Sequence, residues 1–459
     1  MIAALKPYTA YKESGLPWLG QVPEHWDSER AKWLFIKMNR PVRDEDEVVT
    51  CFRDGVVTLR KNRRLTGFTE ATAFSGYQGI RKGDLVIHGM DAFAGAIGVS
   101  DSDGKGTPVY NVCQPRPGVN AKYYAGLVRQ MSQSQWILAL AKGIRERSTD
   151  FRFEMFGNQV VPLPPLDEQA AIVKYLDWAN GRLELAIRAK RKVITLLNEQ
   201  KQAIIHRAVT QGLNPSAPLK PSGIQWLGDI PGHWVVRRIK SVVSNVADQT
   251  TVMEDQDSYI ALEDVERWTG RVTPHRRLNE KLFTGQVKKY KTNDVLFGKL
   301  RPYLAKAITA SGTGVCSGEF LVLRADHSIV HPPYIEQLLR TKSTIDVITS
   351  STFGAKMPRA DWQFIGGLSV ALPPVSEQVQ ITESIQAATR PLVETITRYE
   401  REVDLLREYR TRLVADVVTG KFDVREAAAR LPEEVPLDTV EDAADLDEDL
   451  DIADGEATV

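Results

Sequence analysis

The chain has 459 residues, 42% of them hydrophobic and 26% charged, the profile of a globular protein too long for one core. No apolar run approaches the ~18 residues that a membrane span requires, and the N-terminal residues show no charged leader ahead of an apolar stretch. Cys51, Cys113 and Cys316 lack the spacing of a disulfide framework or a zinc site, so a cytoplasmic protein with reduced thiols and no metal is expected. The net charge of zero hides a segregation: residues 431–459 hold twelve acidic and no basic side chains, leaving 59 basic against 47 acidic residues in positions 1–430. A basic body suits a polyanionic partner, and an acidic end of this composition suits a disordered tail.

In chain order, residues 1–160 read as a mixed α/β domain. Short β-rich runs (VVTLR, DLVIHGM, AGAIGVS) are broken by Gly and Asp turns, and a helical stretch, YYAGLVRQMSQSQWILALAKG, follows late. From Asp167 to Val209 there is no proline and one glycine among strong helix formers, which predicts one long helix within residues 161–213. Ile172, Leu176, Ala179, Leu183, Ala186, Val193, Leu197 and Ile204 trace an apolar seam of coiled-coil type. Residues 214–370 again read as a mixed α/β domain, with DVLFGKL, EFLVLRA and a late helical PPYIEQLLRTKSTIDVITS. A second long helix is predicted within 371–422, with Ile381, Ile385, Ala388, Leu392, Ile396, Tyr399, Val403, Leu406 and Leu413 as its stripe and Pro391 expected to kink or interrupt it. Residues 423–459 form the acidic tail.

The chain is one unit written twice. Residues 11–34 match residues 219–242 at eleven of 24 positions with a constant offset of 208, including Trp18 with Trp226, Pro23 with Pro231, His25 with His233 and Trp26 with Trp234. Leu163-Pro164-Pro165-Leu166 with Glu168-Gln169 recurs as Leu372-Pro373-Pro374-Val375 with Glu377-Gln378. The prolines cannot lie inside a helix, so each Pro-Pro reads as a helix start. Similar ends around dissimilar middles suggest a common scaffold carrying different readers. The fold class expected is therefore α+β, with two mixed α/β domains in tandem joined by two long helices that pair antiparallel and relate the copies by a pseudo-twofold axis, like that of duplex DNA. The four tryptophans are expected to be scaffold anchors, because the repeat preserves them where specificity should vary.

Lys and Arg neutralise phosphates, and Arg also reads base edges, so basic clusters are the candidate DNA contacts. In the first copy these are Arg53, Lys61, Arg63 and Arg64 in a turn-rich part, with Arg145 and Arg147 past the late helix. In the second they are Lys289, Lys299, Arg301 and Lys306 around a predicted strand pair, with Lys356 and Arg359 later.

Catalysis is the competing class. No GxxxxGK[ST] and no suitably placed GxGxxG occurs. His331-Pro332-Pro333-Tyr334 approaches the signature of amino-methyltransferases, but a histidine cannot supply the accepting amide or carboxylate oxygen, and the first copy has Asn120-Ala121-Lys122-Tyr123 there. No catalytic residue is assigned. A protein-binding coiled-coil scaffold would explain the helices and leave the basic body unexplained.

The doubled WLGxxPxHW and doubled LPPxxEQ elements, in the order domain, helix, domain, helix, resemble the specificity subunit of type I restriction-modification systems from about Tyr11 to Phe422. That resemblance implies a non-catalytic reader with two target-recognition domains, 1–160 and 214–370, each reading half of a bipartite DNA site. It further implies docking of two DNA adenine methyltransferase subunits on the helices, with restriction and translocation subunits joining them. S-adenosylmethionine, ATP and Mg are then expected on those partners, with no cofactor on this chain.

Overall fold

A computed structural model describes residues 5–63, 76–140, 150–251, 258–273, 286–354 and 357–432. The chain divides into two compact units, Met1–Ala189 with Val403–Val459 and Lys190–Glu402, so each unit holds one domain and part of each long helix. The acidic stretch from residue 433 onward lies outside the described residues.

The first unit is built on a four-stranded antiparallel sheet in the order Phe35–Lys37, Tyr110–Pro115, Leu85–His88, Ile97–Val99. The runs Leu85-Val86-Ile87 and Tyr110 to Cys113 are buried along their whole length because side chains pack on both faces of this sheet. On one face lies the helix Ala121–Gln133, whose Tyr123, Tyr124, Leu127, Val128 and Met131 enter the core. The side chain of Asn120 accepts from the amides of Lys122 and Tyr123 and caps the helix. On the other face, a smaller cluster of Val49, Cys51, Val57, Ile80 and Val86 packs beneath the hairpin Val49–Cys51/Val57–Leu59 and the strand pair Gln78–Ile80/Gly104–Gly106.

The second unit repeats the sheet as Val243–Val246, Phe320–Ala325, Val295–Gly298, Ala307–Thr309, again antiparallel, with helix Pro332–Leu339 in the place of Ala121–Gln133. A further sheet, Gln249–Thr250, Val287–Tyr290, Gly314–Ser317, Ser258–Ile260, takes the place of the first unit's two separate strand pairs. Cys51, Cys113 and Cys316 are all buried and unpaired, and burial pushes the Cys51 and Cys316 thiols up to about 12. No helix among the described residues is long and apolar enough to cross a membrane.

The two long helices run Leu166–Gln211 and Val375–Val418, 46 and 44 residues, each beginning immediately after its Pro-Pro. At ~1.5 Å per residue each approaches 70 Å. Within the second unit they pass antiparallel: Lys190 pairs with Glu402 and lies over Tyr399, while Ile204 and Ala208 line a cavity of about 380 Å³ together with Ser384 and Ile385. Within the first unit Arg410 pairs with Glu184 at 3.1 Å.

The structure corrects three local expectations. Of the kink or interruption expected at Pro391, the interruption does not occur: helix Val375–Val418 runs through it. Pro391 and Ala387, whose carbonyl loses its amide partner, both lie on the exposed side, where that carbonyl is open to solvent, while Ile385 and Ile396 stay buried on the inner side. The seam also departs from a strict heptad. Ile187 is buried where Ala186 was expected, and Val193 and Ala388 are exposed. Buried positions 172, 176, 179, 183, 187, 201, 205 and 208 keep the ~3.6-residue period of a straight helix, from which a ~3.5 period drifts by about 20° per heptad. Finally, the first residues assigned to the tail are folded. Asp423 bonds its amide to the Lys6 carbonyl at 2.8 Å, and Val424, which caps the short helix Arg425–Ala429, and Ala428 within that helix enter the first core.

Candidate nucleic-acid interface

The repeated motifs assemble into one lock per unit, which fixes the surface loops. Glu168, third residue of the first long helix and 1% exposed, accepts from Trp26 Nε1 at 3.0 Å, His25 Nε2 at 2.8 Å and the Tyr8 hydroxyl. Burial, and then the bond to Glu168, push the Tyr8 hydroxyl far above its ordinary pKa. Gln169 donates to the Pro164 carbonyl at 2.8 Å and accepts from the amide of Asn120 at 2.9 Å. The second unit repeats this: Glu377 accepts from Trp234 at 3.1 Å and His233 at 2.7 Å, while Gln378 donates to Pro373 and accepts from the amide of His331 at 2.8 Å.

The LPPxxEQ and PxHW elements are therefore the two halves of a joint between a domain and its long helix. Trp26 and Trp234 are fully buried, and Trp18 and Trp226 pack at the core edge, as scaffold anchors should. The same geometry gives His331-Pro332-Pro333-Tyr334 a structural role. His331 precedes the helix, the prolines occupy its first positions, and the buried Tyr334 donates to the carbonyls of Val209 and Ala371 at 3.1 and 3.2 Å. Tyr123 does the same toward Val418 at 3.1 Å.

The described candidate basic residues occupy different places in the two units. In the first unit, Arg53 lies at the tip of hairpin 49–59 and pairs with Asp91 at 3.2 Å. Lys61 pairs with Glu47 at 2.5 Å, and Arg63 pairs with Asp54 at 2.6 Å with its guanidinium 4.7 Å from the Phe52 ring centroid. All three are matched with carboxylates at the surface. Such exposed pairs are individually weak and exchange readily for phosphate. Arg64, Arg145 and Arg147 lie outside the described residues, as does Lys356.

The second unit brings Lys299, Arg301 and Arg359 together although some sixty positions separate them in the chain. Segment 299–301 pairs by backbone with 358–360: the Arg301 amide donates to Pro358 at 2.8 Å, and the Ala360 amide to Lys299 at 2.9 Å. Arg359 reaches Glu319 at 3.0 Å. Arg301 and Ala305 hold left-handed backbone at φ +49°, a conformation costing ~1 kcal/mol apiece, which at Arg301 this pairing sustains. Beneath them Lys288 is buried with its ammonium on the Phe320 carbonyl at 2.7 Å. Burial first, and then the charge of Lys299, lower its pKa. Lys289 is exposed on strand Val287–Tyr290, while Lys306 instead turns inward to the Leu262 carbonyl at 2.9 Å. The patch also has an apolar component not singled out in the sequence: Phe353, 82% exposed, accepts the Arg359 amide on its carbonyl at 3.3 Å. Nothing in its local sequence distinguishes it from a core phenylalanine.

No protein-family model matches the chain. Among curated proteins it is 22% identical to the type I restriction enzyme EcoDI specificity subunit of Escherichia coli over 242 residues, 49% of this chain and 54% of that one, so the chain spans about half the length of that relative. It is also 22% identical to the putative type I restriction enzyme MjaX specificity subunit of Methanocaldococcus jannaschii over 89% of this chain and 96% of that one. Among solved structures, a chain from work on complex assembly and conformational transition of the type I R-M system aligns with a TM-score of 0.61 at 15% identity, covering 87% of this chain and 99% of the other. That likeness gives the fold.

Proposed function

We propose, from its similarity to type I restriction specificity subunits, that the chain is the non-catalytic DNA reader of such a complex. Each target-recognition domain, within residues 1–160 and 214–370, reads one half of a bipartite site. The helices within 161–213 and 371–422 set the spacer and dock two adenine methyltransferase subunits, to which restriction and translocation subunits attach. S-adenosylmethionine, ATP and Mg belong to those partners, and the complex acts in the cytoplasm.

The observation that carries this reading is the duplicated lock. Two domains are joined by the same Glu-Gln chemistry to one antiparallel helix pair, while the loops they present differ. A scaffold alone has no need of two diverged basic faces on identically anchored domains. Reading duplex DNA does, because phosphate contacts position a protein and base contacts specify the sequence.

The test is methylation-sensitive sequencing of DNA from cells expressing the chain with its methyltransferase subunit, against cells lacking only the chain. A bipartite adenine-methylated motif that disappears with the chain is expected. Unchanged methylation with good expression would move the assignment to a protein-binding scaffold.

A further inference from the structure

Each domain carries an arginine at the same place, half-buried in the first and buried in the second. Arg129 lies in helix Ala121–Gln133 and Arg340 ends helix Pro332–Leu339, at the offset of 211 that also relates Tyr123 to Tyr334. Both reach the glycine at the tip of the corresponding hairpin. In the first unit the hairpin joins Val49–Cys51 to Val57–Leu59 around Gly55 (φ +93°). In the second it follows Ser258–Ile260, closes by the Val265–Val272 bridge and turns through Gly270 (φ +69°). A Cβ on Gly55 would overlap the Arg129 guanidinium, and one on Gly270 would stand 2.5 Å from Arg340 Nη1. The guanidinium lies against bare backbone in both cases, where glycine alone leaves it room.

Each arginine also feels a like charge on the long helices. Arg129 is near Arg410, which is held by Glu184 at 3.1 Å, and Arg340 is near the buried Lys201, which Glu266 and Glu400 offset. Arg340 also pairs with Glu336 at 2.8 Å, and Glu336 accepts from the Thr309 amide and hydroxyl at 2.8 and 2.6 Å, tying the cluster to the central sheet. Its Nε has no acceptor among the described residues. A half-satisfied buried cation is a poor device for stability alone. Beside the hairpin tips stand Arg53 with its Asp91 partner in one unit and the 301–306 loop in the other, where the Trp268 amide bonds the Leu304 carbonyl at 3.2 Å.

We propose that Arg129 and Arg340 are positioning residues that fix the hairpin tip of each domain, so that each sets the specificity of one half-site. This rests on the DNA-reading function proposed above. The planar guanidinium can lie flat on the glycine peptide while bonding sideways, and a lysine ammonium cannot.

The experiment profiles methylated motifs from cells expressing Arg129→Lys or Arg340→Lys with the methyltransferase subunit, alongside melting of the purified complexes. Expected is a relaxed motif in one half only for each variant, in opposite halves for the two. Discrimination should fall about tenfold or more at one position, the scale of a lost base contact, with the melting temperature held. Motifs unchanged in both halves overturn the inference. So does joint loss of both halves, or loss of the folded complex, which would make the arginines general supports of the fold. A wild-type chain that yields no motif removes the DNA-reading premise and this inference with it.

Discussion

Replacing Glu168 with leucine should damage the first unit more than Glu377→Leu damages the second, although the motifs are the same. Glu168 serves three donors, of which Trp26 Nε1 and the Tyr8 hydroxyl are buried and cannot turn to water, while the His25 ring is partly exposed. Glu377 serves two donors, of which only Trp234 is buried, and is itself more open to solvent. A buried donor left without an acceptor costs about 1–3 kcal/mol, giving roughly 2–6 kcal/mol for Glu168→Leu against roughly 1–3 kcal/mol for Glu377→Leu. At about 2–4 °C per kcal/mol for units of this size, the first loss lowers the melting midpoint by on the order of 10 °C, and the second by a few degrees. Differential scanning calorimetry of the full chain with each variant reads the difference directly. Equal shifts, or shifts below about 1 kcal/mol for both, would refute the assignment of the Glu-Gln pair as the joint between domain and helix.

Lys299→Ala with Arg301→Ala should weaken binding of duplex DNA and reduce the slope of log K against log salt by up to about 2, with assembly onto the methyltransferase intact; an unchanged slope in a salt titration removes both from the interface. Stability of the first unit should fall as pH drops through 6.5, because burial holds the folded pKa of His88 below that ordinary value and the unfolded chain then takes up the proton first. The ring accepts the Asp91 amide on Nδ1 at 3.1 Å and must stay neutral there; His88→Gln should flatten the dependence of the melting midpoint between about pH 7 and pH 5, and persistence of the full slope would place the titration elsewhere. Pro391→Ala should stabilise the chain by about 1–3 kcal/mol, since alanine restores an amide to an exposed stretch of continuous helix; a lower melting midpoint would show that the ring is needed there.

The sequence by itself determined the repeat, the two long helices with their Pro-Pro starts, and the anchoring part of the tryptophans, because these follow from local covalent constraint and from identity at a fixed offset. Proline cannot occupy a helix interior cheaply, and apolar residues recurring every three to four positions make a helix with a buried face whatever it packs against. The fate of Pro391 depended on which side of the helix faced water, and the shift of the buried seam from Ala186 to Ile187 on the partner it packs against. Only the tertiary structure could decide either. It alone also joined the glutamate of LPPxxEQ to the histidine and tryptophan of PxHW across more than 140 residues, gathered Lys299, Arg301 and Arg359 into one patch, and turned Lys306 inward. A charge pattern along a chain records how many cations a loop carries, whereas their direction depends on carbonyls and carboxylates supplied by strands far away in sequence.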